Sequence, residues 1–405
     1  MNHREHRGST ETTEILCAFR VFSVASVFLL LLAACDHSPL GFDQLERGIQ
    51  EPSLAVPLRP DRGASYGKFN ANNSSGSLEN LVLGRNYAYE SRVLLRFALT
   101  DSAPSLDSVD SVRIVLHTRT FRPVPFTIYR ITTEWDDFQT TWHDAKTGEP
   151  WYDPGGDFDT LQPIAEATIE KDSTLIPLSR ASLDSLMHNG YGLILIPGTA
   201  DSGTFVTLFA RSATAKKPRV TYFYGTNRRE FDATQNTYIV DTVGLNLQPG
   251  RFWLGSGYIF RSYFHFNLDS LRDTLDSLLL PDPTATVITA ALRFSPESTF
   301  TFRETVALGA HRLTSPYEPS RENATFEAAA FGRGIFVVHK DTSDPSITLD
   351  VRPLVQYWIQ KPDSNFGLLL TLEPQDFDVS RMELRHGAFL PTLRIGFVKP
   401  PFGRF

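Results

Sequence analysis

The sequence predicts an all-β protein with two tandem antiparallel β-sandwiches of jelly-roll type, and three observations support this. Short runs rich in Val, Ile, Leu, Phe and Tyr are separated by clusters of Asp, Ser, Gly and Pro, a texture typical of strands joined by turns. Phe is abundant, with 30 residues, whereas only 3 Met are present, which suits rigid cores. Finally, several segments of the first half of the chain recur in the same order in the second half.

The predicted strands are apolar runs of the length that a strand needs. In the first half they cover residues 92–99, 112–117, 126–131, 192–196 and 219–224. Helical periodicity is scarce, and only residues 179–188 and 351–359 could each form one or two helical turns.

The internal repeat divides the chain into two predicted units, each of the size of one sandwich. The matched pairs are 94–99 (LLRFAL) with 263–268 (YFHFNL), 109–116 with 287–294, 129–135 (YRITTEW) with 311–317 (HRLTSPY), 174–195 with 347–370, and 209–223 with 382–397. Residues 225–230 (GTNRRE) interrupt the apolar pattern between the two halves. We therefore predict a first domain over 65–226 and a second over 227–400.

The N-terminus predicts an exported lipoprotein. An apolar run over residues 21–34 is too short to span a bilayer, which needs about 20 apolar residues, but has the length of a signal-peptide core. It ends in Leu-Ala-Ala-Cys, which resembles a lipobox, so residues 1–34 are predicted to be removed and Cys35 to carry the lipid. The alternative is an ordinary secretory signal that happens to precede a Cys. The lipid would hold the protein on the periplasmic or cell-surface side of a membrane.

The rest of the composition restricts the function. The only other cysteine, Cys17, would leave with the signal peptide, so no disulfide or Cys-ligated metal is expected. A net charge of −7 without a basic block argues against nucleic acid as a partner. Residues 35–64 contain four prolines and predict an extended tether, with an ordered strand within 53–58 as the alternative.

Several motifs of the first unit resemble the DNRLRE-type domain, a β-sandwich module related to alginate-type carbohydrate-binding modules. The resemblance rests on LLRFAL, VDSVRIVLHT, YRITTEWDDFQTTWHD, PGGDFDTLQP and GYGLIL, and it spans most of residues 65–224. The second unit keeps DVRPLVQYWIQKP and NFGLLL, but Pro316-Tyr317 replaces Glu134-Trp135. The resemblance implies a sandwich fold and, by analogy, a glycan-binding role.

No catalytic machinery is predicted. The sequence has no H-E-x-x-H, no G-x-S-x-G and no phosphate loop, and its 10 His residues are scattered. His265 and His311 fall within predicted strands, where a lone histidine is more often a hydrogen-bonded or surface residue than a ligand. We therefore expect a protein that is not an enzyme and that requires no cofactor.

The loop WYDPGGDFD predicts one candidate metal site. Asp153, Asp157 and Asp159 lie among glycines, and several converging oxygens are what calcium needs. The alternative is an Asx turn, in which the carboxylates accept hydrogen bonds from neighbouring backbone amides. Calcium is the only cofactor that the sequence suggests.

Two sets of side chains are candidates for ligand binding. Trp151 and Tyr152 lie in the same loop and could offer aromatic faces to a sugar, although burial in the core is the alternative. Arg92, Arg96 and Arg113 alternate with apolar residues and could form a row that binds acidic polysaccharide. The alternative for the arginines is a solvated outer face paired with Asp or Glu.

These observations lead to a functional hypothesis with two alternatives. The first is a lipid-anchored, non-catalytic envelope protein that binds glycan or matrix polysaccharide. The second is a structural spacer or assembly subunit whose partner is an envelope protein. An enzyme of polysaccharide degradation ranks last, because the sequence shows no paired carboxylates.

Overall fold

The computed structural model describes residues 56–68, 79–86, 88–99, 106–120, 122–183, 190–198, 204–243, 251–269, 286–301, 305–317, 325–337, 346–375, 379–387 and 390–398. The chain is an all-β protein of antiparallel sheets, which confirms the predicted fold class. None of the described helices is long and apolar enough to cross a membrane. Cys35 and the signal peptide lie outside the described residues, so the lipid anchor stays a prediction.

The strands follow one another along the chain with few helical interruptions. They are β1 (Val56–Leu58), β2 (Arg62–Lys68), β3 (Asn80–Arg85), β4 (Tyr89–Phe97), β5 (Ser111–Thr120), β6 (Val124–Arg130), β7 (Asp144–Lys146), β8 (Glu149–Pro150), β9 (Ala165–Ile169), β10 (Ser173–Leu178), β11 (Leu193–Pro197), β12 (Phe205–Phe209), β13 (Arg219–Tyr224), β14 (Asn227–Thr242), β15 (Phe252–Ser256), β16 (Ile259–His265), β17 (Thr286–Phe294), β18 (Pro296–Phe300), β19 (Thr305–Arg312), β20 (Gly332–Val337), β21 (Ile347–Asp350), β22 (Leu368–Glu373), β23 (Ser380–Leu384) and β24 (Thr392–Val398). The α-helix α1 covers Arg352–Gln360, and two 3-10 turns cover Leu106–Ser108 and Pro362–Ser364.

Strand pairing separates the described strands into two groups. Strands β3 to β14 pair only among themselves, and we call them the first strand set. Strands β15 to β24 pair with one another and with β1 and β2, and these together form the second strand set. The five strands predicted in the first half all form in the first strand set, as β4, β5, β6, β11 and β13.

The pairing divides the chain differently from the predicted domain boundaries. Strand β2 pairs with β16 over seven residue pairs, from Arg62 with His265 to Lys68 with Ile259, and β1 pairs with β24. The end of the predicted tether therefore forms strands of the second strand set. Strand β14 pairs with β13 and β4, so residues 227–242 belong to the first strand set and not to the second predicted domain. Sequence similarity could not reveal this, because it does not show which edge a strand joins.

The predicted helices have different outcomes. The pattern over residues 351–359 forms α1, which begins with Pro353 in its first turn and buries Leu354, Val355 and Trp358 against the core of the second strand set. Residues 180–183 are helical, whereas 184–188 lie outside the described residues.

The core of the first strand set lies between strands whose residues alternate in burial. In β5 the side chains of Val112, Ile114 and Leu116 are buried, while the residues between them are more exposed. This period of two is what a sheet with one buried face requires. The β-branched and aliphatic residues that favour a strand are thus also the ones that fill the core.

The two strand sets share buried apolar residues. Phe300 of the second set stacks on Tyr89 of the first, with 6.0 Å between ring centroids, and it contacts Phe205 at 5.7 Å. Trp253 and Tyr258 of the second set are buried in the same cluster as the core of the first. The predicted tandem of two independent sandwiches stays a prediction, because this cluster includes side chains of both sets.

Candidate functional site

The outer face of β4 and β11 is covered by residues 132–161, which we call the outer layer. Along β4, Val93 and Leu95 face the main core, whereas Leu94 lies on the opposite face and is also fully buried. A strand that is apolar on both faces needs cover on both, and the outer layer provides the second cover. It contains the short hairpin of β7 and β8.

Three tryptophans form the inside of the outer layer. Trp135, Trp142 and Trp151 are at most 7% exposed and pack with Ile131, Leu94 and Ile194. Two of the indole groups donate hydrogen bonds locally: Trp135 Nε1 to Tyr191 O at 2.7 Å, and Trp151 Nε1 to Thr141 O at 2.9 Å. The prediction that Trp151 is a ligand platform is therefore wrong, because its ring is needed to cover the sheet.

A partly buried ion pair joins the outer layer to the turn that follows β12. Asp137 is 2% exposed, and its carboxylate accepts a hydrogen bond from Arg211 Nη2 at 2.8 Å. Burial raises the pKa of Asp137, although the Arg211 guanidinium counteracts this. A pair of this kind fixes the position of the outer layer, since removing one partner would leave a buried charge.

Arg92 is part of the support of the loop. Its guanidinium lies 4.6 Å from the Trp142 ring, pairs with Glu90 at 2.7 Å and donates to Gly155 O at 2.7 Å. Gly155 has a φ of 97°, and a Cβ there would lie 2.6 Å from Arg92 Nη1, so only glycine fits over the arginine. These partners use the guanidinium, which argues against its predicted role in ligand binding.

Of the other two predicted arginines, Arg96 lies on the same face of β4 as Arg92, whereas Arg113 lies on a strand that, among the described residues, does not pair with β4. Arg96 Nη1 donates to Gln235 Oε1 at 3.2 Å on the neighbouring strand. Arg113 lies on β5, whose partners among the described strands are β10, β12 and β13, and it stacks over Phe223 at 4.2 Å. Sequence alternation predicts which face of a strand a residue takes, but not whether two strands are neighbours.

The carboxylate of Asp157 organises the loop through hydrogen bonds to the protein itself. Its Oδ2 accepts from Thr133 Oγ1 at 2.8 Å and from the Tyr152 amide at 3.1 Å, and its Oδ1 accepts from the Asp153 amide at 3.0 Å. Asp159 pairs with Arg130 at 3.2 Å and accepts from the Leu161 amide. Among the described residues, no group of three or more His, Cys, Asp or Glu side chains is arranged to hold a metal ion. The structure thus favours local hydrogen bonding over calcium binding for Asp157 and Asp159, with an Asx turn at Asp159, whereas the Asp153 side chain is exposed and only its backbone amide takes part.

The same contacts recur in the second strand set. Arg130, Ile131 and Thr133 correspond in the repeat to Arg312, Leu313 and Ser315. Ile131 forms an isolated bridge with Phe158, and Leu313 forms one with Phe326. The ion pair of Arg130 with Asp159 has its counterpart in Arg312 with Glu327, and the bond of Thr133 to Asp157 has its counterpart in Ser315 with Thr325.

This recurrence indicates what the acidic loop residues do. In the second set, Glu327 takes the place of Asp159 and pairs with the equivalent arginine, Arg312. Thr325 takes the place of Asp157 and hydrogen-bonds to the equivalent hydroxyl, that of Ser315. Because a hydroxyl can replace the carboxylate of Asp157, the required property is hydrogen bonding and not the charge of a cation ligand. Sequence reasoning missed Arg130 and Thr133 as the partners, although the match of YRITT with HRLTS was the signal that could have found them.

Tyr152 is the predicted ligand residue that the structure leaves accessible. Its side chain is 91% exposed, although its backbone is fixed by Asp157 and the neighbouring glycines pack on Arg92, Trp142 and Ile194. Leu161, at the other end of the loop, is 89% exposed. The loop is thus supported from below and presents an aromatic and an aliphatic side chain to solvent.

A shallow pocket lies elsewhere on the first strand set. It has a volume of about 340 Å³ and is lined by Pro125, Phe126, Thr127, Glu166, Ala167, Thr168 and Gly198. None of the predicted site residues lines it. The two histidines singled out in the sequence are hydrogen-bonded strand residues, as expected: His265 with Asp61 at 2.7 Å, and His311 with Glu373 at 2.9 Å.

Comparisons with known proteins identify no family for this chain. No protein-family model matches it. No curated protein matches it. Among solved structures, it is similar to the N-terminal tandem of two CBM22 modules from a Paenibacillus barcinonensis protein, with 10% identity, a TM-score of 0.12, and coverage of 87% of this chain and 100% of that chain. A similarity this weak carries no information on what the present chain binds, and the resemblance to the DNRLRE-type domain stays a prediction.

Proposed function

We propose that this chain is a non-catalytic, lipid-anchored envelope protein that binds glycan or matrix polysaccharide through the outer layer, with Tyr152 as the contact residue. The observation that supports this is an almost fully exposed aromatic ring on a loop that is held rigid from beneath. An uncovered aromatic ring is available to stack on a ligand, and Tyr152 is far more exposed than Phe138 at 43% or Tyr191 at 36%, the other exposed aromatic residues described in the first strand set.

A rigid tyrosine suits weak recognition of a sugar surface. Its ring offers apolar area for the C–H groups of a pyranose, and its hydroxyl can exchange hydrogen bonds with sugar hydroxyls. Since the loop is already fixed, binding would not incur the cost of ordering it. Asp153 is exposed beside Tyr152 and offers acceptor oxygens for further hydroxyls.

Affinity electrophoresis through gels that contain alginate, xylan or another polysaccharide tests this role. The wild-type protein should be retarded in at least one gel, and Tyr152→Ala should lose most of the retardation. Leu175→Ala is the matched control, because Leu175 is a 53% exposed apolar residue on β10 whose loss should leave migration unchanged. Wild-type migration that no polysaccharide changes would remove the glycan proposal, and equal retardation of Tyr152→Ala would exclude this site.

The membrane part of the proposal is tested on the two cysteines. Cys35→Ser should move the protein from the membrane fraction to the soluble fraction and abolish labelling by a fatty acid, whereas Cys17→Ser should do neither. Because β1 begins at Val56 and belongs to the second strand set, the lipid would connect to that set first. Residues 36–55 could reach at most about 70 Å if extended. Labelling that survives in Cys35→Ser would refute the anchor.

A role as an assembly subunit is the second candidate, and one observation favours it. Strand β20 ends the order of its five-stranded sheet among the described strands, and Ile335 on it is 73% exposed. An edge strand with an exposed apolar side chain can pair with a strand of another protein. Ile335→Lys should then abolish recovery of a cross-linked envelope partner and leave glycan retardation intact, and unchanged cross-linking would exclude β20 as the contact.

A further inference from the structure

In each strand set, one further segment pairs with two strands that correspond in the sequence repeat. This segment comes from different places in the chain in the two sets. In the first set, β14 pairs with β13 and β4, with Gln235 opposite Arg96. In the second set, β1 and β2 take the equivalent positions against β24 and β16, with Arg62 opposite His265. Arg96 and His265 correspond in the sequence repeat, so the two pairs occupy matching positions. We call β1 and β2 the clasp strands.

The connections of these segments differ. Strand β14 follows β13 through the two-residue turn of Gly225 and Thr226, where Gly225 has a φ of 58°. The clasp strands precede the entire first strand set along the chain, and their partners β16 and β24 follow it. A two-residue hairpin keeps its strands at a very high effective concentration, whereas the clasp strands, which continue to β3 through residues 69–79, are held at a lower one.

The contacts that hold the clasp strands are specific to the second strand set. Leu58 packs against its core, and Asp61 binds His265 through its backbone amide at 3.0 Å and its carboxylate at 2.7 Å. A Cβ on Gly63 would lie 2.9 Å from the Phe252 ring, so the backbone of β2 lies close to this side chain. The ladders that the described clasp strands form all join them to β16 and β24.

We propose that the edges of β16 and β24 form a strand-binding site, which residues 56–68 of a second copy of this chain occupy in place of the chain's own segment. The second copy would make the same ladder, the same ion pair and the same packing, so the exchange costs mainly the entropy of association. Strand β14 is held by its short turn, and the first strand set therefore does not exchange. This proposal does not depend on glycan binding.

Disulfide trapping in the full chain, with Cys17 and Cys35 replaced by serine, tests the exchange. Facing residues of an antiparallel ladder are close enough for a disulfide. Arg62→Cys and His265→Cys are introduced into separate chains, which are denatured, mixed at high concentration, refolded and oxidised. The matched control mixes Arg96→Cys with Gln235→Cys, the equivalent facing pair of the first strand set. The double variant with Arg62→Cys and His265→Cys in one chain reports closure within a single chain at low concentration.

The proposal expects a disulfide-linked dimer from the Arg62→Cys and His265→Cys mixture, in several-fold greater yield than from the control mixture. The yield should fall on dilution, while the double variant forms its disulfide within one chain. Equal dimer yields in the two mixtures, or no dimer while the double variant still closes, would overturn the exchange. Failure of the double variant to form its disulfide would overturn the clasp itself.

Discussion

The two strand sets have a common framework but differ in what is added to it. In each set, the residue that directly follows a strand forms an isolated β-bridge with a phenylalanine at the far end of a loop. Ile131 follows β6 and pairs with Phe158, and Leu313 follows β19 and pairs with Phe326. In both, an arginine pairs with an acidic residue next to that phenylalanine. In each set a second ring packs on this phenylalanine: Tyr129 on Phe158, with 5.1 Å between ring centroids, and His311 on Phe326, with 5.2 Å. These recurring contacts hold the loop to the sheet, so they are framework and not ligand sites.

The segments that differ between the sets indicate separate roles. Between the bridged residues, the first set has residues 132–157 with their three tryptophans and Tyr152, whereas the second set has only residues 314–325. The second set in turn receives the N-terminal strands, which join it to the predicted tether. Under the proposed function, the first strand set would provide the binding surface and the second would provide the attachment.

The largest expected effect is on the free energy of unfolding, and it compares the aromatic side chains that cover the sheet in the first strand set with the matching one in the second. Trp135→Ala removes a ring that is 2% exposed and a hydrogen bond to Tyr191, and should destabilise the protein by about 3–5 kcal/mol. The matched change in the second strand set is Tyr317→Ala, because Tyr317 is only half-buried and stacks on Tyr263 at 4.3 Å. It should cost less than half as much in urea unfolding, and equal costs would contradict the difference between the two covers.

A smaller effect is expected at the clasp strands. Gly63→Val places a branched side chain against Phe252 and should cost about 1–3 kcal/mol, as overpacking of a core does. Arg62→Val at the next position is the control, since the Arg62 side chain is 75% exposed. Thermal unfolding should show a lower Tm for Gly63→Val and little change for the control. A Gly63→Val protein with the wild-type Tm would show that β2 is not packed there.

The recurring ion pair offers a finer comparison. The Arg312 side chain is 13% exposed and also stacks over Tyr357 at 4.1 Å, whereas the Arg130 side chain is 32% exposed. Arg312→Ala should therefore cost about 1–2 kcal/mol, and Arg130→Ala less than about 1 kcal/mol, because an ion pair contributes less where its arginine is more accessible to solvent. Urea unfolding of the two variants checks the order of the costs, and the reverse order would argue that the pair at Arg130 has a role beyond holding the loop.

The smallest expected effect concerns calcium. Since Asp157 and Asp159 already accept hydrogen bonds from Thr133, backbone amides and Arg130, millimolar calcium should leave the Tm of the wild-type protein unchanged. Asp157→Asn, which keeps one acceptor oxygen, serves as the comparison and should also show no calcium response. A rise in Tm with calcium that is lost in Asp157→Asn would restore the metal interpretation.

Strand positions could be predicted from the sequence, whereas the pairing of distant strands could not. Apolar runs located β4, β5, β6, β11 and β13, because a buried strand face leaves a local pattern. The sequence predicts a tether over residues 35–64, because Pro57 and Pro60 lie in a segment without periodicity, with an ordered strand within 53–58 as the alternative. The partner of β2 follows some 200 residues later and that of β1 some 340 residues later. Register over such a separation depends on packing that no local pattern records.

The site shows the same division between local chemistry and environment. The loop could be predicted to hold an Asx turn, and Asp159 forms one with the Leu161 amide. Whether an aromatic residue faces the core depends on what lies beneath the loop, so adjacent Trp151 and Tyr152 could not be distinguished. Trp151 is 4% exposed because its ring packs in the cluster that covers the sheet, whereas the chain bends at Tyr152, which is 91% exposed.

The most direct test of a binding surface on the first strand set is hydrogen–deuterium exchange with a polysaccharide that retards the protein. We expect slower exchange over residues 151–161 when the polysaccharide is present, and unchanged exchange over residues 325–329 of the second strand set, which correspond to 157–161. Protection confined to the second strand set, or none over 151–161 while the polysaccharide is bound, would contradict it.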